Sequence, residues 1–157
     1  MKITGRAIRL PADLDTDMII AGRYLRTKDR SSWAVHAFED LDPALAARLD
    51  GAVLVAGRNF GCGSSREQAA IALREAGVAA VVAPSFARIF YRNAINLGLP
   101  IAEAPFDCAD GEEVEVDLET GHVRAGGRPS VPIAPLSPRM HAILRAGGLV
   151  ELLKGTP

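Results

Sequence analysis

Short apolar runs alternate with amphipathic segments in the middle of this chain. Residues 52–56 (AVLVA) and 78–83 (VAAVVA) are runs without a polar residue, the pattern of parallel strands covered on both faces. Residues 65–75 and 85–97 carry apolar side chains at helical spacing, and a glycine follows each segment closely. This order of strand, helix, strand and helix predicts a parallel sheet with right-handed crossover helices.

The remaining elements are shorter, and most of them extend the same sheet. Alternation and turn residues predict strands over residues 2–10 and 101–104, a hairpin of residues 113–118 and 122–125, a short helix over residues 43–49 and a closing helix over residues 137–146. The fold class is therefore α/β. We expect one domain over residues 1–157, with a mostly parallel sheet, crossover helices and an added antiparallel hairpin.

Local capping patterns set the expected starts of the two crossover helices. Ser64 and Glu67 have the spacing of a capping box, which would begin the first helix at Ser65. Ser85 stands in the corresponding position before the second helix. Ahead of these, three aspartates at a spacing of two would share one face if the chain were extended there: Asp13, Asp15 and Asp17.

Charge and composition exclude several classes of function. Eighteen basic and nineteen acidic residues leave a formal net charge of −1, so the field that attracts proteins to nucleic acid or to anionic membranes is missing. The N-terminal segment has no apolar core of a signal peptide, and we expect a cytoplasmic protein. Eight of the acids lie within residues 103–119, a pattern that favours a solvated sheet edge whose charges discourage aggregation.

A Gly-rich loop at residues 57–63 (GRNFGCG) follows the first apolar strand and precedes a helix. Converging backbone N–H groups, the helix N-terminus and the hydroxyls of Ser64 and Ser65 suit an anion, and Arg58 and Arg66 flank the loop. The loop lacks the third glycine of a dinucleotide fingerprint and the lysine of a phosphate-binding P-loop. A nucleophile at Cys62 is disfavoured, because His36, His122 and His141 lie in segments without an acidic partner pattern.

The sequence GRNFGCGSSRE at residues 57–67 resembles the signature loop of the aconitase superfamily. The form it resembles is the small subunit of isopropylmalate isomerases and homoaconitases. LDTDMI at residues 14–19, ARIFYRNAIN at 87–96 and GGL at 147–149 are similar to further segments of that family, so the resemblance spans nearly the whole chain. Gln68 stands where the family often has histidine.

The resemblance implies a swivelling domain that closes over a larger iron-sulfur subunit. It also implies a hydro-lyase that isomerises a 2-hydroxy polycarboxylic acid to its 3-hydroxy isomer by dehydration and rehydration. A four-iron, four-sulfur cluster would act as Lewis acid on the leaving hydroxyl. Cys62 and Cys108 are too few to hold such a cluster, so we expect no cofactor on this chain and the cluster in the partner subunit.

The same resemblance implies roles for individual residues. Ser64 matches the base that removes the carbon-bound proton, Arg66 the clamp for a substrate carboxylate and Asp17 the acidic residue beside the base. Ser65 and Gly63 match substrate-binding positions of the loop, and no residue is assigned to a metal.

The resemblance further implies that residues 22–27 (GRYLRT), which include Arg26 and Thr27, read the variable end of the substrate. The family favours 3-isopropylmalate, as in leucine biosynthesis, whereas a guanidinium at position 26 would suit the terminal carboxylate of homoaconitate. The stem of Arg26 could also pack on an alkyl group. A stand-alone carboxylate-binding module is the remaining alternative.

Overall fold

Seven strands and six α-helices make up the protein in the computed structural model, which describes residues 1–155; the last two residues of the expected domain lie outside this range. The strands are β1 Lys2–Leu10, β2 Val53–Ala56, β3 Ala80–Ala83, β4 Ile101–Glu103, β5 Glu113–Asp117, β6 His122–Ala125 and β7 Val131–Pro132. The α-helices are α1 Thr16–Ile19, α2 Arg30–Val35, α3 Glu67–Glu75, α4 Arg88–Asn96, α5 Pro138–Ala146 and α6 Leu149–Leu153. Two short 3-10 helices occupy Gly22–Tyr24 and Leu45–Arg48.

The strands form one sheet in the order β4-β3-β2-β1-β5-β6-β7. Strands β1 to β4 pair in parallel, with α3 and α4 connecting β2 to β3 and β3 to β4. β1 pairs with β5 in the antiparallel sense on its other side, and β6 and β7 continue that half. The α/β class is confirmed, but the sheet divides evenly between parallel and antiparallel pairing. The difference arises from β7, a two-residue strand containing a proline that gives no strand pattern.

Burial differs between the two halves of the sheet as their sequences predict. Every residue of β2 and β3 is buried, because the parallel half is covered on both faces. In β5 and β6 the buried residues alternate with more exposed ones, so one face of this half meets solvent. The buried side chains form a continuous core that runs across both halves of the sheet.

Several element boundaries differ from the sequence-based expectation. The 43–49 helix is reduced to the 3-10 turn Leu45–Arg48, and Asp42 accepts a hydrogen bond from the Ala44 N–H. The closing helix begins as predicted, with the Ser137 side chain capping α5 and Gly147 ending it at φ 88°. Helices α1, α2 and α6 were not predicted, and the segment of α1 was expected to be a loop. Among the described residues, no helix is long and apolar enough to cross a membrane.

The acidic segment is not a solvated sheet edge. β5 lies inside the sheet, between β1 and β6, and β7 forms the edge on that side. The expectation of a sheet edge was therefore wrong, and most of the acids instead pair with cations from other segments of the chain. The pairs are Arg9–Asp107, Arg48–Asp110, Arg128–Glu112, Lys2–Glu115, Arg124–Glu115 and Arg145–Glu119.

Candidate active site

Three loops meet beyond the carboxyl ends of β1, β2 and β3, the usual position for a site on a parallel sheet. They are residues 11–16, residues 57–66, called the Gly-rich loop below, and residues 84–87. The Gly-rich loop lies between the other two. Its backbone forms parallel bridges on both sides, Asp15 with Cys62 and Phe60 with Phe86.

Backbone hydrogen bonds fix the Gly-rich loop to both neighbours. The Gly61 N–H donates to the Leu14 carbonyl at 2.8 Å, and the Thr16 N–H donates to the Cys62 carbonyl at 2.9 Å. On the other side, the Ala87 N–H donates to the Phe60 carbonyl at 2.9 Å. The loop therefore has the character of a short strand between two others, held in the first place by main-chain hydrogen bonds.

Glycine is required at two positions of this loop for different reasons. At Gly57 a Cβ would lie 2.6 Å from the Ala12 Cα, so the close approach of the 11–16 segment excludes a side chain. Gly61 has φ +81°, and its Cβ would overlap the Phe90 ring at the start of α4. The glycines thus allow the loop to pack between its neighbours.

Ser64 does not cap a helix, so the capping-box prediction was wrong. α3 begins at Glu67 with Arg66 as its N-cap residue, and no side chain caps it. The Ser64 carbonyl instead accepts a hydrogen bond from Thr16 Oγ1 at 2.9 Å, and Arg66 is extended at φ −135° and ψ 107°. Tertiary contact holds the chain out of helical geometry for two further residues. Both serine side chains, Ser64 and Ser65, are consequently exposed at the loop tip.

Ser85 also serves a tertiary contact and not a helix cap. Its hydroxyl accepts a hydrogen bond from the Asn59 N–H at 2.9 Å, and α4 begins only at Arg88. Asn59 has φ +58°, and its amide donates to Asp13 Oδ1 at 3.2 Å. Local sequence cannot separate these roles from caps, because the same hydroxyl serves both.

The three aspartates of the first loop diverge and do not share one face, contrary to the expectation. α1 begins between them, with the Asp15 side chain capping it through the Met18 N–H at 2.9 Å. Asp13 pairs with Arg58 at 3.3 Å, and both side chains are exposed. Asp17 lies in the first turn of α1 and faces Arg66.

Arg66 and Asp17 form the ion pair at the centre of the site. Asp17 Oδ1 lies 2.6 Å from Arg66 Nη1, but the N–H bond does not point at this oxygen, and Nη1 is buried without a hydrogen-bond partner among residues 1–155. Only 24% of the Arg66 side chain is exposed. The ion pair with Asp17 holds the guanidinium in place, and the partly exposed Arg66 side chain brings a positive charge to the wall of a cleft, where it suits an anionic ligand.

A cleft of about 250 Å³ lies between the Gly-rich loop and the start of α4. It brings together four of the residues expected at the site, namely Gly63, Ser64, Ser65 and Arg66. A larger cleft of about 460 Å³ lies along α4 and α5, and none of the expected site residues lines it. We assign the candidate active site to the smaller cleft because the hydroxyls and the buried guanidinium meet there.

The 22–27 loop begins against the Arg66 guanidinium. A Cβ at Gly22 would lie 3.4 Å from Arg66 Nη1, so the main chain of this loop forms one wall beside the clamp. Arg26 and Thr27 are both exposed. Thr27 Oγ1 accepts a hydrogen bond from the Asp29 N–H, whereas the Arg26 side chain forms no hydrogen bond or ion pair with any other described residue. The structure thus places the loop next to the site but shows no contact between Arg26 and the cleft.

A cluster of polar and aromatic side chains fastens the first half of this loop. Glu39 accepts a hydrogen bond from the Tyr24 hydroxyl at 2.5 Å, and its other oxygen lies 2.5 Å from His36 Nδ1. The rings of Tyr24 and His36 stack with centroids 3.9 Å apart. The expectation that His36 has no acidic partner was wrong, and the signal available in the sequence was Glu39 three positions later.

Electrostatics in this cluster follow from its hydrogen bonds. The hydrogen bond from Tyr24, followed by that from His36, lowers the pKa of the Glu39 carboxyl. In return, the hydrogen bond to Glu39, followed by burial, raises the pKa of the Tyr24 hydroxyl. Tyr24 therefore stays a hydrogen-bond donor and Glu39 a charged acceptor around neutral pH.

Neither cysteine has the environment of a nucleophile or of a cluster ligand. Burial is the main cause that raises the pKa of both the Cys62 and the Cys108 thiols, with nearby carboxylates adding to it. Within residues 1–155 there is no group of three or more His, Cys, Asp or Glu side chains that could hold a metal ion. The residues of this chain do not fit an iron-sulfur cluster.

Comparison with known proteins shows the family of this chain. The chain matches the aconitase C-terminal domain family over residues 10–104. This span contains all three loops and both crossover helices. The chain belongs to this family. The match ends before β5, so the antiparallel half of the sheet lies outside it.

Relatives of this aconitase-type chain carry two enzyme names. The chain is 52% identical to a methanogen homoaconitase small subunit from Methanothermobacter thermautotrophicus, over 95% of this chain and 89% of that one. It is 51% identical to a 3-isopropylmalate dehydratase small subunit from Moorella thermoacetica, over 96% of this chain and 93% of that one. The crystal structure of a 3-isopropylmalate dehydratase from Methanocaldococcus jannaschii superposes with a TM-score of 0.93 at 46% identity, covering 99% and 95% of the two chains.

Proposed function

We propose that this chain is the small subunit of a two-subunit hydro-lyase that isomerises a 2-hydroxy polycarboxylic acid by dehydration and rehydration. The observation that carries the proposal is that the partly buried Arg66 guanidinium, held by Asp17, lines one cleft together with two exposed serine hydroxyls. Such a set can hold a carboxylate and offer a base to the adjacent carbon. Its relatives are named as small subunits of enzymes of this type.

Ser64 is the base in this proposal. Its hydroxyl stands at the tip of the Gly-rich loop, where its own N–H and that of Ser65 form no hydrogen bond with other described residues. A serine alkoxide is too basic to exist free in water, but the unpaired N–H groups of the loop and the Arg66 charge two residues later would stabilise it. Ser64 Oγ would take the carbon-bound proton during dehydration and return it during rehydration.

Arg66 would hold a substrate carboxylate, with Asp17 fixing the guanidinium. The 2.6 Å approach of Asp17 to Nη1 keeps Arg66 in one position, while the exposed part of the side chain faces the cleft and can meet a carboxylate. A planar guanidinium binds a carboxylate through two parallel N–H groups, which also orients it. Gly63 and Ser65 would contact the same substrate from the loop.

The proposal places the iron-sulfur cluster on a separate large subunit. When bound there, the cluster supplies a Lewis acid for departure of the hydroxyl. The cleft on this chain is open to solvent, so a partner is needed to exclude water from it. One domain over residues 1–157 that swivels over this partner, a heteromer of the two subunits and a cytoplasmic location are parts of the same proposal.

We propose 3-isopropylmalate as the substrate, and homoaconitate as the second candidate. The relatives support both, since they carry both names at similar identity. Arg26 favours the second candidate, because an exposed guanidinium without an internal partner is free to bind the terminal carboxylate of homoaconitate.

Reconstitution with the large subunit tests the proposed function. The chain alone and the purified pair are assayed with 3-isopropylmalate and with homoaconitate. We expect turnover from the pair only, because this chain has too few thiolates for a cluster. Stoichiometric iron and brown colour in the isolated chain would contradict the two-subunit proposal, and a pair that turns over neither substrate would contradict the proposed reaction.

A further inference from the structure

The cluster around Glu39 has no part in the chemistry proposed above, yet it is among the most densely connected groups of side chains on the protein. The Glu39 carboxylate accepts a hydrogen bond from the Tyr24 hydroxyl at 2.5 Å and lies 2.5 Å from His36 Nδ1. It also accepts a hydrogen bond from Arg23 Nη2 at 3.3 Å. Arg23 also pairs with Asp40 at 2.6 Å, and its guanidinium lies 4.7 Å from the centre of the Tyr24 ring. All of these contacts converge on the residue pair 23–24 of the 22–27 loop.

The segment that carries Glu39 is attached to the helix beside the active site. Phe38, next to Glu39, is fully buried, and its N–H donates to the Ile19 carbonyl at 2.8 Å, at the end of the helix that carries Asp17. On the opposite side of the loop, the Trp33 indole N–H donates to the Tyr24 carbonyl at 3.1 Å. Tyr24 is thus held through its side chain and its main chain by two separate segments.

The two ends of the 22–27 loop differ in what restrains them. Residues 22–25 form the 3-10 turn, which starts against Arg66 and is closed by the Leu25 N–H bonding to the Gly22 carbonyl at 3.1 Å. Residues 26–28 are exposed. Because the exposed end continues directly from Tyr24, the direction in which Arg26 leaves the protein depends on the position of that tyrosine.

We propose that Glu39 is a positioning residue for substrate selection, which acts by locking Tyr24 and thereby aiming the 22–27 loop at the variable end of the substrate bound on Arg66. This inference rests on the proposed function, since it takes the loop as the part that reads the substrate. Glu39 itself does not touch the substrate. Its loss is therefore expected to weaken substrate binding without removing the base or the clamp.

Tyr24→Phe and Glu39→Gln separate this role from a purely structural one. Tyr24→Phe deletes the hydroxyl that Glu39 accepts and keeps the ring that stacks on His36. Glu119→Gln is the matched control, because Glu119 also binds two cationic groups, the N-terminal amine and Arg145, but at the β5–β6 turn. Each variant is made in the full chain and assembled with the large subunit for kinetics.

Two readouts are taken for each variant. Trp33 is the single tryptophan of the chain and contacts the Tyr24 carbonyl, so quenching of its fluorescence by acrylamide in the full chain reports how firmly the loop is held. KM and kcat of the assembled enzyme report substrate binding and chemistry separately. For Tyr24→Phe and Glu39→Gln we expect quenching to rise at least twofold and KM at least threefold, with kcat within twofold of wild type. Glu119→Gln should change neither readout.

The outcomes distinguish this inference from the proposed function. An unchanged KM in both variants, with or without a change in quenching, would overturn the positioning role, as would an equal effect of Glu119→Gln. A loss confined to kcat would also overturn it, because it would indicate damage to the base or the clamp. If the wild-type assembly turns over neither substrate, the proposed function itself fails, whereas an active wild type with unaffected variants rejects Glu39 alone.

Discussion

The Gly-rich loop and the 22–27 loop lie side by side at the candidate site, but different contacts hold them. The Gly-rich loop is fixed by main-chain hydrogen bonds to two neighbouring loops and by glycines that permit close approach. The 22–27 loop is fixed at one end by side chains and is exposed at the other. Main-chain bonding preserves one shape regardless of most substitutions, whereas a side-chain cluster can be altered residue by residue. Substitutions would then leave the proposed chemistry of the Gly-rich loop unchanged, while those in the side-chain cluster would alter which substrate is bound.

Replacing Gly61 should have the largest effect on stability, because this glycine allows the Gly-rich loop to pack against Phe90. Gly61→Ala forces a side chain at φ +81° into the Phe90 ring, and we expect a loss on the order of 3 kcal/mol in the free energy of unfolding. Gly121→Ala is the control: it has φ +76°, but nothing lies within 4 Å of the added Cβ, and it should cost about 1 kcal/mol. Urea unfolding of the full chain measures both. Equal losses would show that packing does not fix the loop.

Arg66→Lys should weaken both substrates equally. Lysine keeps the charge near Asp17 but loses the planar pair of donors, so kcat/KM should fall roughly 30- to 100-fold, or about 2 to 3 kcal/mol. The ratio between 3-isopropylmalate and homoaconitate should remain unchanged, since both present the shared carboxylate to this group. A fall in kcat/KM confined to one substrate would show that Arg66 takes part in substrate selection. The functional distinction between the two loops would then be lost.

Arg26→Val should have a smaller and selective effect. If Arg26 binds a terminal carboxylate, homoaconitate turnover falls at least tenfold, about 1.4 kcal/mol, while 3-isopropylmalate turnover holds or rises. The measurement is the ratio of kcat/KM for the two substrates before and after the substitution, in the assembled enzyme. Changes of less than threefold in both substrates together would reject Arg26 as the selecting residue.

Much of the fold could be predicted because its strongest signals are local. The runs that became β2 and β3 are apolar throughout, which only a strand covered on both faces explains in so short a length. Gly77 and Gly98, the two glycines after the crossover helices, both adopt positive φ. By contrast, α2 was missed, because its buried side is a single residue, Trp33.

Four of the residues expected at the site share one cleft, but the sequence did not predict how the loops around them are arranged. Placing Asp17 against Arg66 requires α1 to begin between the aspartates, which depends on the tertiary bridge of Asp15 with Cys62. Ser64 and Ser85 have the local signature of helix caps, and only contacts with other loops redirect them. The cluster on Glu39 joins residues 15 positions apart, a separation at which the sequence carries no pattern.

Ser64 is the proposed base, and the shape of the Gly-rich loop is expected not to depend on the Ser64 hydroxyl. The most direct measurement is the single-turnover rate of dehydration in the assembled enzyme, followed by the absorbance of the conjugated enoic acid. Because general base catalysis contributes about 10² to 10⁴ in rate, Ser64→Ala should slow this step at least 100-fold. Substrate affinity and unfolding should be unchanged, since the exposed Ser64 hydroxyl forms no hydrogen bond with another residue in the 1–155 range, and Ser65→Ala should slow the step less. A Ser64→Ala rate within threefold of wild type would place the base on another residue.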